Sequence, residues 1–249
     1  MTWNREDETL EDLQLAGLKL LQKKQGFRYG MDTVLLADFA RIRPEDRVAD
    51  FGSGSGVLPL LLMGRDKGAF FETFEILPEM AEMAGRTMEM NGVADRIRIH
   101  VLDAGDAWKE LPGCGIDAVV CNPPYGRPGA VLKNPDERLA TARHQEPETL
   151  KRFLTSAYRI LKGRGTISLT YPAEHMLDLM DRMRECHLEP KRFRLVYPFA
   201  DRPAKLVMVE GVKDARPSLQ PMAPMIIYEA EGTLTNELKS VYHMDQNVV

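Results

Sequence analysis

Cysteine is scarce: Cys114, Cys121 and Cys186 are the three in a chain of 249 residues. Their number is odd, their spacing is wide and no C-x-x-C pair occurs. This argues against a disulfide framework and against a zinc site. Cys121 falls in an apolar strand and reads as small core filler. Long hydrophobic runs are missing as well; no stretch approaches the roughly 20 apolar residues of a membrane helix. The segment from Met1 to Glu8 is acidic and has no apolar core, so no signal peptide is expected there. A cytoplasmic protein without membrane or metal partners is the resulting expectation.

Excess positive charge is also lacking, since the net charge is -4. That balance conceals a local one. Between Arg127 and Arg164 there are nine Lys or Arg against four Asp or Glu. A second basic run is Lys191-Arg192-Phe193-Arg194, followed by Arg202 and Lys205. Clusters of this kind contact phosphates, or else form a solvated charged face.

The length suits one α/β domain. The whole chain, 1–249, is read as a single domain, with 1–45 an N-terminal extension carrying a short helix and 126–147 a basic flap loop. The first fifteen or so residues are expected to fray. Thr33 to Ile42 has helical character, and Pro44 closes it. Strands are predicted over 47–51, 70–74, 97–101, 116–121 and 166–171, with two last ones over 193–197 and 206–212. Helices are predicted from Val57, over 78–91, over 148–161 and over 174–186. Such alternation gives an α/β fold with a mainly parallel sheet and helices on both faces. Right-handed crossovers then bring the strand-to-helix loops to one sheet edge, where ligands bind.

Every motif falls in one of those loops. Asp50-Phe51-Gly52-Ser53-Gly54-Ser55-Gly56 follows the first sheet strand. Its glycines allow a sharp turn and a close ligand approach, and the helix after it offers free N–H groups. A dinucleotide fingerprint has G-x-G-x-x-G spacing; here the spacing is G-x-G-x-G. Asp50 at the mouth suits a cationic amino-acid moiety, such as the methionine end of S-adenosylmethionine, better than a pyrophosphate. Glu75 ends the second strand some 20 residues later and is placed to accept both ribose hydroxyls. Asp103, after the third strand, binds an adenine amino group or caps a turn.

The fourth strand runs into Asn122-Pro123-Pro124-Tyr125. Tandem prolines stiffen the backbone and remove two donors, leaving carbonyls and the Asn122 oxygen as acceptors. A purine amino group is a weak nucleophile because its lone pair is delocalised. Two acceptors, the Asn122 side chain and the Pro123 carbonyl, can bond its hydrogens and expose the lone pair. The Tyr125 ring can stack on the base.

Together these loops resemble the cofactor site of class I S-adenosylmethionine-dependent methyltransferases. The resemblance implies the Rossmann-like methyltransferase fold, with a seven-stranded, mostly parallel sheet. It implies that Asp50, Gly52, Ser53, Gly54 and Gly56 hold the methionine end. Glu75 and Ile76 would serve the ribose loop, Asp103 and Ala104 the adenine loop, and Asn122 the junction of cofactor and target. The Asn-Pro-Pro-Tyr motif is shared by amino methyltransferases acting on adenine, guanine or glutamine. Phe27 to Ala37, Ala142-Arg143-His144, Arg202 to Glu210 and Pro224 to Tyr228 resemble the bacterial tRNA(1)(Val) adenine-37 N6-methyltransferase group. That implies tRNA as partner and RNA contacts from Arg127, Lys133, Arg138, Arg143, His144, Arg202 and Lys205. Asp32-Thr33 closes over the cofactor, shapes the target pocket, or caps a helix. The alternatives are an rRNA adenine or guanine methyltransferase, a release-factor glutamine N5-methyltransferase, and a cofactor-sensing RNA-binding protein without turnover. About 45 residues precede the first sheet strand, which counts against the separate helical domain typical of the glutamine enzymes.

Overall fold

The computed structural model describes residues 3–25, 28–111, 113, 115–123 and 146–244. Its centre is a sheet in which seven long strands run side by side. In chain order these are β3 (Arg47–Phe51), β4 (Phe70–Glu75), β5 (Ile97–Val101), β6 (Ile116–Cys121), β7 (Leu161–Pro172), β8 (Leu188–Tyr197) and β9 (Leu206–Lys213). Their spatial order is β8-β9-β7-β6-β3-β4-β5, and only β9 runs antiparallel to its neighbours. Two two-residue strands, β10 (Gln220–Pro221) and β11 (Met225–Ile226), extend the sheet along β8.

The central strands are apolar on both faces, as a covered parallel sheet requires. Side chains alternate between two cores. Val48, Ala118 and Val120 face one; Ala49, Phe51, Val119 and Cys121 face the other. Helices α1 (Met31–Phe39), α2 (Val57–Met63) and α3 (Pro78–Met90) cover the first face. Helices α4 (Ala107–Glu110), α5 (Glu146–Ile160) and α6 (Met176–Glu185) cover the second. All seven residues of α2 are buried: the helix packs against α1 and shares the first core with it and with sheet residues such as Val48 and Ala118. Such a helix is apolar all round. A short hairpin, β12 (Tyr228–Ala230) and β13 (Thr233–Leu234), leads to α7 (Asn236–Val241), which seals the first core through Leu238 and Val241.

The N-terminal region does not fray as expected. Strands β1 (Glu8–Asp12) and β2 (Lys19–Lys23) form an antiparallel hairpin packed on α3. The Glu8 carboxylate, fully enclosed, receives two hydrogen bonds from Arg86 of α3, at 2.6 and 2.9 Å. That pairing lowers the Glu8 pKa. The segment Glu8-Thr9-Leu10-Glu11-Asp12 carries one aliphatic side chain, so hydrophobic alternation cannot reveal it.

The second basic run also differs from expectation. Arg192 and Arg194 point the same way from β8 and are both buried. Arg192 pairs with Glu210 of β9 at 2.7 and 2.9 Å and donates to the Phe39 carbonyl, whereas Arg194 pairs with Glu237 of α7. These cations hold the fold together and do not face phosphates.

Candidate functional site

Strand register brings the motif residues together. Phe51 pairs with Cys121 and with Phe74, and Cys121 pairs with Leu169. The residues just beyond, the glycine loop, Asn122, Glu75 and Thr170, therefore share the carboxyl edge of the sheet.

In the glycine loop, Gly52, Gly54 and Gly56 all have positive φ, at 75°, 54° and 80°. At Gly56 a β-carbon would also meet the Met88 methyl at 2.6 Å. Gly56 is the N-cap of α2, so this left-handed turn aims the start of the helix at the loop. Asp50 is 1% exposed, and among the described residues its Oδ2 has no hydrogen-bond partner. The same holds for the buried Ser53 Oγ. Burial, reinforced by the negative charge of Glu75, pushes the Asp50 carboxyl up to about 8. A buried carboxylate with an unused oxygen needs a cation or donors to ionise. An ammonium or sulfonium ligand supplies that charge, so the donor set fits the methionine end of S-adenosylmethionine.

Glu75 uses both carboxylate oxygens within the protein. Oε2 accepts from the Gly54 N–H at 2.8 Å and Oε1 from the Leu77 N–H at 2.9 Å. A carboxylate has about four acceptor positions. One thus remains on each oxygen for a diol, while the two backbone bonds tie the carboxylate to the loop. Next to it, Ile76 is 61% exposed, an apolar surface at the same sheet edge. The Leu102 N–H donates to the Glu75 carbonyl at 3.0 Å, which places Asp103 alongside. Asp103 caps its own turn: Oδ1 accepts from the Gly105 N–H at 2.8 Å, and Oδ2 pairs with Arg152 of α5 at 3.0 Å. Ala104 is buried below it. The turn-capping alternative is thus realised, and a further lone pair on Oδ2 suits an adenine amino group.

Asn122 sits between two threonines. Its Nδ2 donates to Thr33 Oγ1 of α1 at 2.9 Å, and its Oδ1 accepts from Thr170 Oγ1 of β7 at 2.5 Å. Thr33 and Thr170 are both buried. Asp32 Oδ1 accepts from the Thr33 N–H at 2.8 Å and from its hydroxyl at 3.5 Å. The N-cap of α1 is Gly30, so neither Asp32 nor Thr33 is the cap residue. Cys121 is enclosed under this site, with its thiol pushed well up by burial and by Asp50, in keeping with a packing role.

Pro123 is buried behind Asn122. Pro124, Tyr125, Arg127, Lys133, Arg138, Arg143 and His144 lie outside the described residues, as does 126–145 of the expected 126–147 loop; its last two positions instead open α5 at Glu146. Arg202 and Lys205 are exposed in the loop that follows β8, whose carboxyl end lies at the same sheet edge. That loop touches the end of β7, since the Ala173 N–H donates to the Lys205 carbonyl at 3.2 Å. Thr170 and Arg152 were not foreseen. Thr170 is legible only once β7 is registered against β6, and Arg152 only once α5 is laid over Gly105.

Comparison with known proteins identifies the family. Residues 30–187 match the methyltransferase small domain family. A Parabacteroides distasonis protein named tRNA1(Val) (adenine(37)-N6)-methyltransferase is 29% identical over 208 residues, 84% of this chain and 85% of that one. A Vibrio campbellii protein of the same name is 24% identical over 89% of this chain and 92% of its own. Among solved structures, a predicted O-methyltransferase of Agrobacterium tumefaciens superposes with a TM-score of 0.67 at 23% identity. It covers 86% of this chain and 96% of its own. M. jannaschii TYW2, solved with AdoMet, superposes at 0.56 with 16% identity over 85% and 88% of the two chains. At these identities the two structures speak for the fold alone.

Proposed function

Because the chain belongs to the methyltransferase small domain family, we propose that it transfers a methyl group from S-adenosylmethionine to the N6 amino group of an adenine in tRNA, next to the anticodon. One observation carries this reading: Asn122, an acceptor-bearing amide held in place on both sides, stands at the strand edge beside a buried acid with an unused oxygen. The curated relatives named for adenine-37 of tRNA1(Val) supply the substrate.

S-adenosylmethionine, when bound, supplies a methyl group on a cationic sulfur. In this reading Asp50 and the glycine loop take the amino-acid end, Glu75 the ribose hydroxyls and Asp103 the adenine. Asn122 Oδ1 and the Pro123 carbonyl accept the two hydrogens of the target amine. These bonds favour a more tetrahedral nitrogen with its lone pair turned outward. Once methylated, that nitrogen is cationic and sheds its proton readily, so a dedicated base is not needed. Rate then comes from alignment and hydrogen bonding. Tyr125 would stack on the base, with Pro124 stiffening the turn. Arg202 and Lys205, with Arg127, Lys133, Arg138, Arg143 and His144, would contact the RNA backbone. An anticodon-loop base is cheap to extrude, since it is already unpaired.

The test is transfer of labelled methyl from S-adenosylmethionine to total tRNA lacking the modification, with nucleoside mass spectrometry. N6-methyladenosine confined to one valine tRNA is the expected product. Methylated guanosine, or labelled glutamine in a release factor, would redirect the assignment.

A further inference from the structure

We propose that Thr33 and Thr170 are positioning residues that fix which end of the Asn122 amide meets the target amine. This rests on the reading of Asn122 as an amine clamp. An asparagine amide is nearly symmetric in shape but opposite in polarity at its two ends. Turned the wrong way, it offers N–H to an amine that is itself a donor, and the clamp is lost.

The polar order around Asn122 is set from outside. Asp32 is acceptor-only when ionised. With the Thr33 hydroxyl donating to it at 3.5 Å, the Thr33 oxygen is left as an acceptor toward Asn122. The Asn122 Nδ2 meets that oxygen at 2.9 Å. Oδ1 is thereby turned to Thr170, whose hydroxyl donates to it at 2.5 Å. An amide oxygen accepts two hydrogen bonds; Thr170 fills one position, and the second is the one that the amine requires. The sequence of donors thus runs one way, from Thr170 through Asn122 and Thr33 to Asp32. Its members come from three separate elements, the end of β6, the first turn of α1 and the last residues of β7. Thr33 and Thr170 are 3% and 0% exposed, so water does not readily replace either hydroxyl.

The test compares Thr33→Val and Thr170→Val, which keep shape and remove the hydroxyl, with Thr33→Ser and Thr170→Ser, which keep the hydroxyl. On an unmodified valine tRNA transcript, each valine variant should lower the single-turnover rate about tenfold or more. Cofactor affinity should stay within about threefold of wild type, as the effect of each hydroxyl passes through the Asn122 amide. The serine variants should restore most of the lost rate. Added to Asn122→Ala, a valine substitution should cost nothing further, because its effect passes through that amide. A second readout needs no RNA. In asparagine-labelled protein, the side-chain amide signal that Asn122→Ala deletes should be protected from exchange in wild type and lose protection in Thr33→Val. Wild-type rates in both valine variants, valine effects fully additive with Asn122→Ala, or unchanged amide protection would each overturn the proposal. An inactive wild type with a protected amide would instead sink the amine-clamp reading while leaving the orientation of Asn122 established.

Discussion

Asp50 is buried, with a carboxyl pushed up to about 8 and an oxygen without a partner among the described residues. Below that value the cofactor-free protein holds the group protonated, whereas a cationic ligand favours the carboxylate. Binding therefore releases a proton wherever the free carboxyl is protonated. Cofactor affinity should rise with pH, close to tenfold per unit between about pH 6 and 7, and flatten near pH 8. Isothermal titration in buffers of different ionisation enthalpy reads the affinity and the proton directly. An affinity independent of pH from 6 to 8 would remove Asp50 as the cation's partner. The folding sign is opposite to that of an ordinary paired acid. The unfolded carboxyl ionises near 4 and the folded one near 8, so cofactor-free stability falls as pH rises across that window. Asp50→Asn should therefore raise the thermal midpoint of the cofactor-free protein at pH 7.5 while weakening cofactor binding. A lowered midpoint would show that the acid is held by partners after all.

At the scale of elements, the turn into α2 depends on Gly56. Alanine there meets both a φ of 80° and the Met88 methyl at 2.6 Å. Gly56→Ala should cost about 1–3 kcal/mol of stability and weaken cofactor binding, as urea unfolding and titration would show. Full affinity would mean that the turn is not the cofactor's cradle. The hairpin β1-β2 depends on the enclosed Glu8 and on Arg86. Arg86→Met should destabilise by about 3 kcal/mol by stranding Glu8, and Glu8→Leu added to it should recover much of the loss. The Glu8 pKa is lowered by its partner, so that contribution is present above the usual glutamate range and disappears as pH falls through the lowered value. The central strands were legible in sequence because both their faces are buried, which leaves consecutive apolar residues such as Val48-Ala49 and Ala118 to Cys121 within Arg47–Phe51 and Ile116–Cys121. The hairpin was illegible because its key inward residue is a glutamate, paired across 78 positions. For the same reason Lys191 to Arg194 resembled a phosphate patch: strand alternation turns Arg192 and Arg194 inward, to acids that only the fold brings near.

For the whole molecule, the sheet gathers acid, glycine loop and amide at one edge, and the sequence already placed those motifs in the loops of that edge. What it could not supply were the long-range contacts that orient them, Thr33 and Thr170 on Asn122 and Arg152 on Asp103. The same edge carries Arg202 and Lys205. If these contact phosphates, each alanine variant should reduce the salt dependence of tRNA binding by about one charge, while leaving cofactor affinity unaltered. An unchanged salt slope in both would exclude that loop from the RNA contact.

The most direct test sets wild type beside Asn122→Ala on unmodified valine tRNA, with product nucleosides counted by mass spectrometry and cofactor affinity measured on the same preparations. The expected result is one N6-methyladenosine per tRNA from wild type. For the variant, the expectation is a rate lower by about a hundredfold or more, with cofactor binding nearly intact. Equal product from both proteins, or none from a wild type that binds the cofactor, would contradict the amide clamp on an adenine amine.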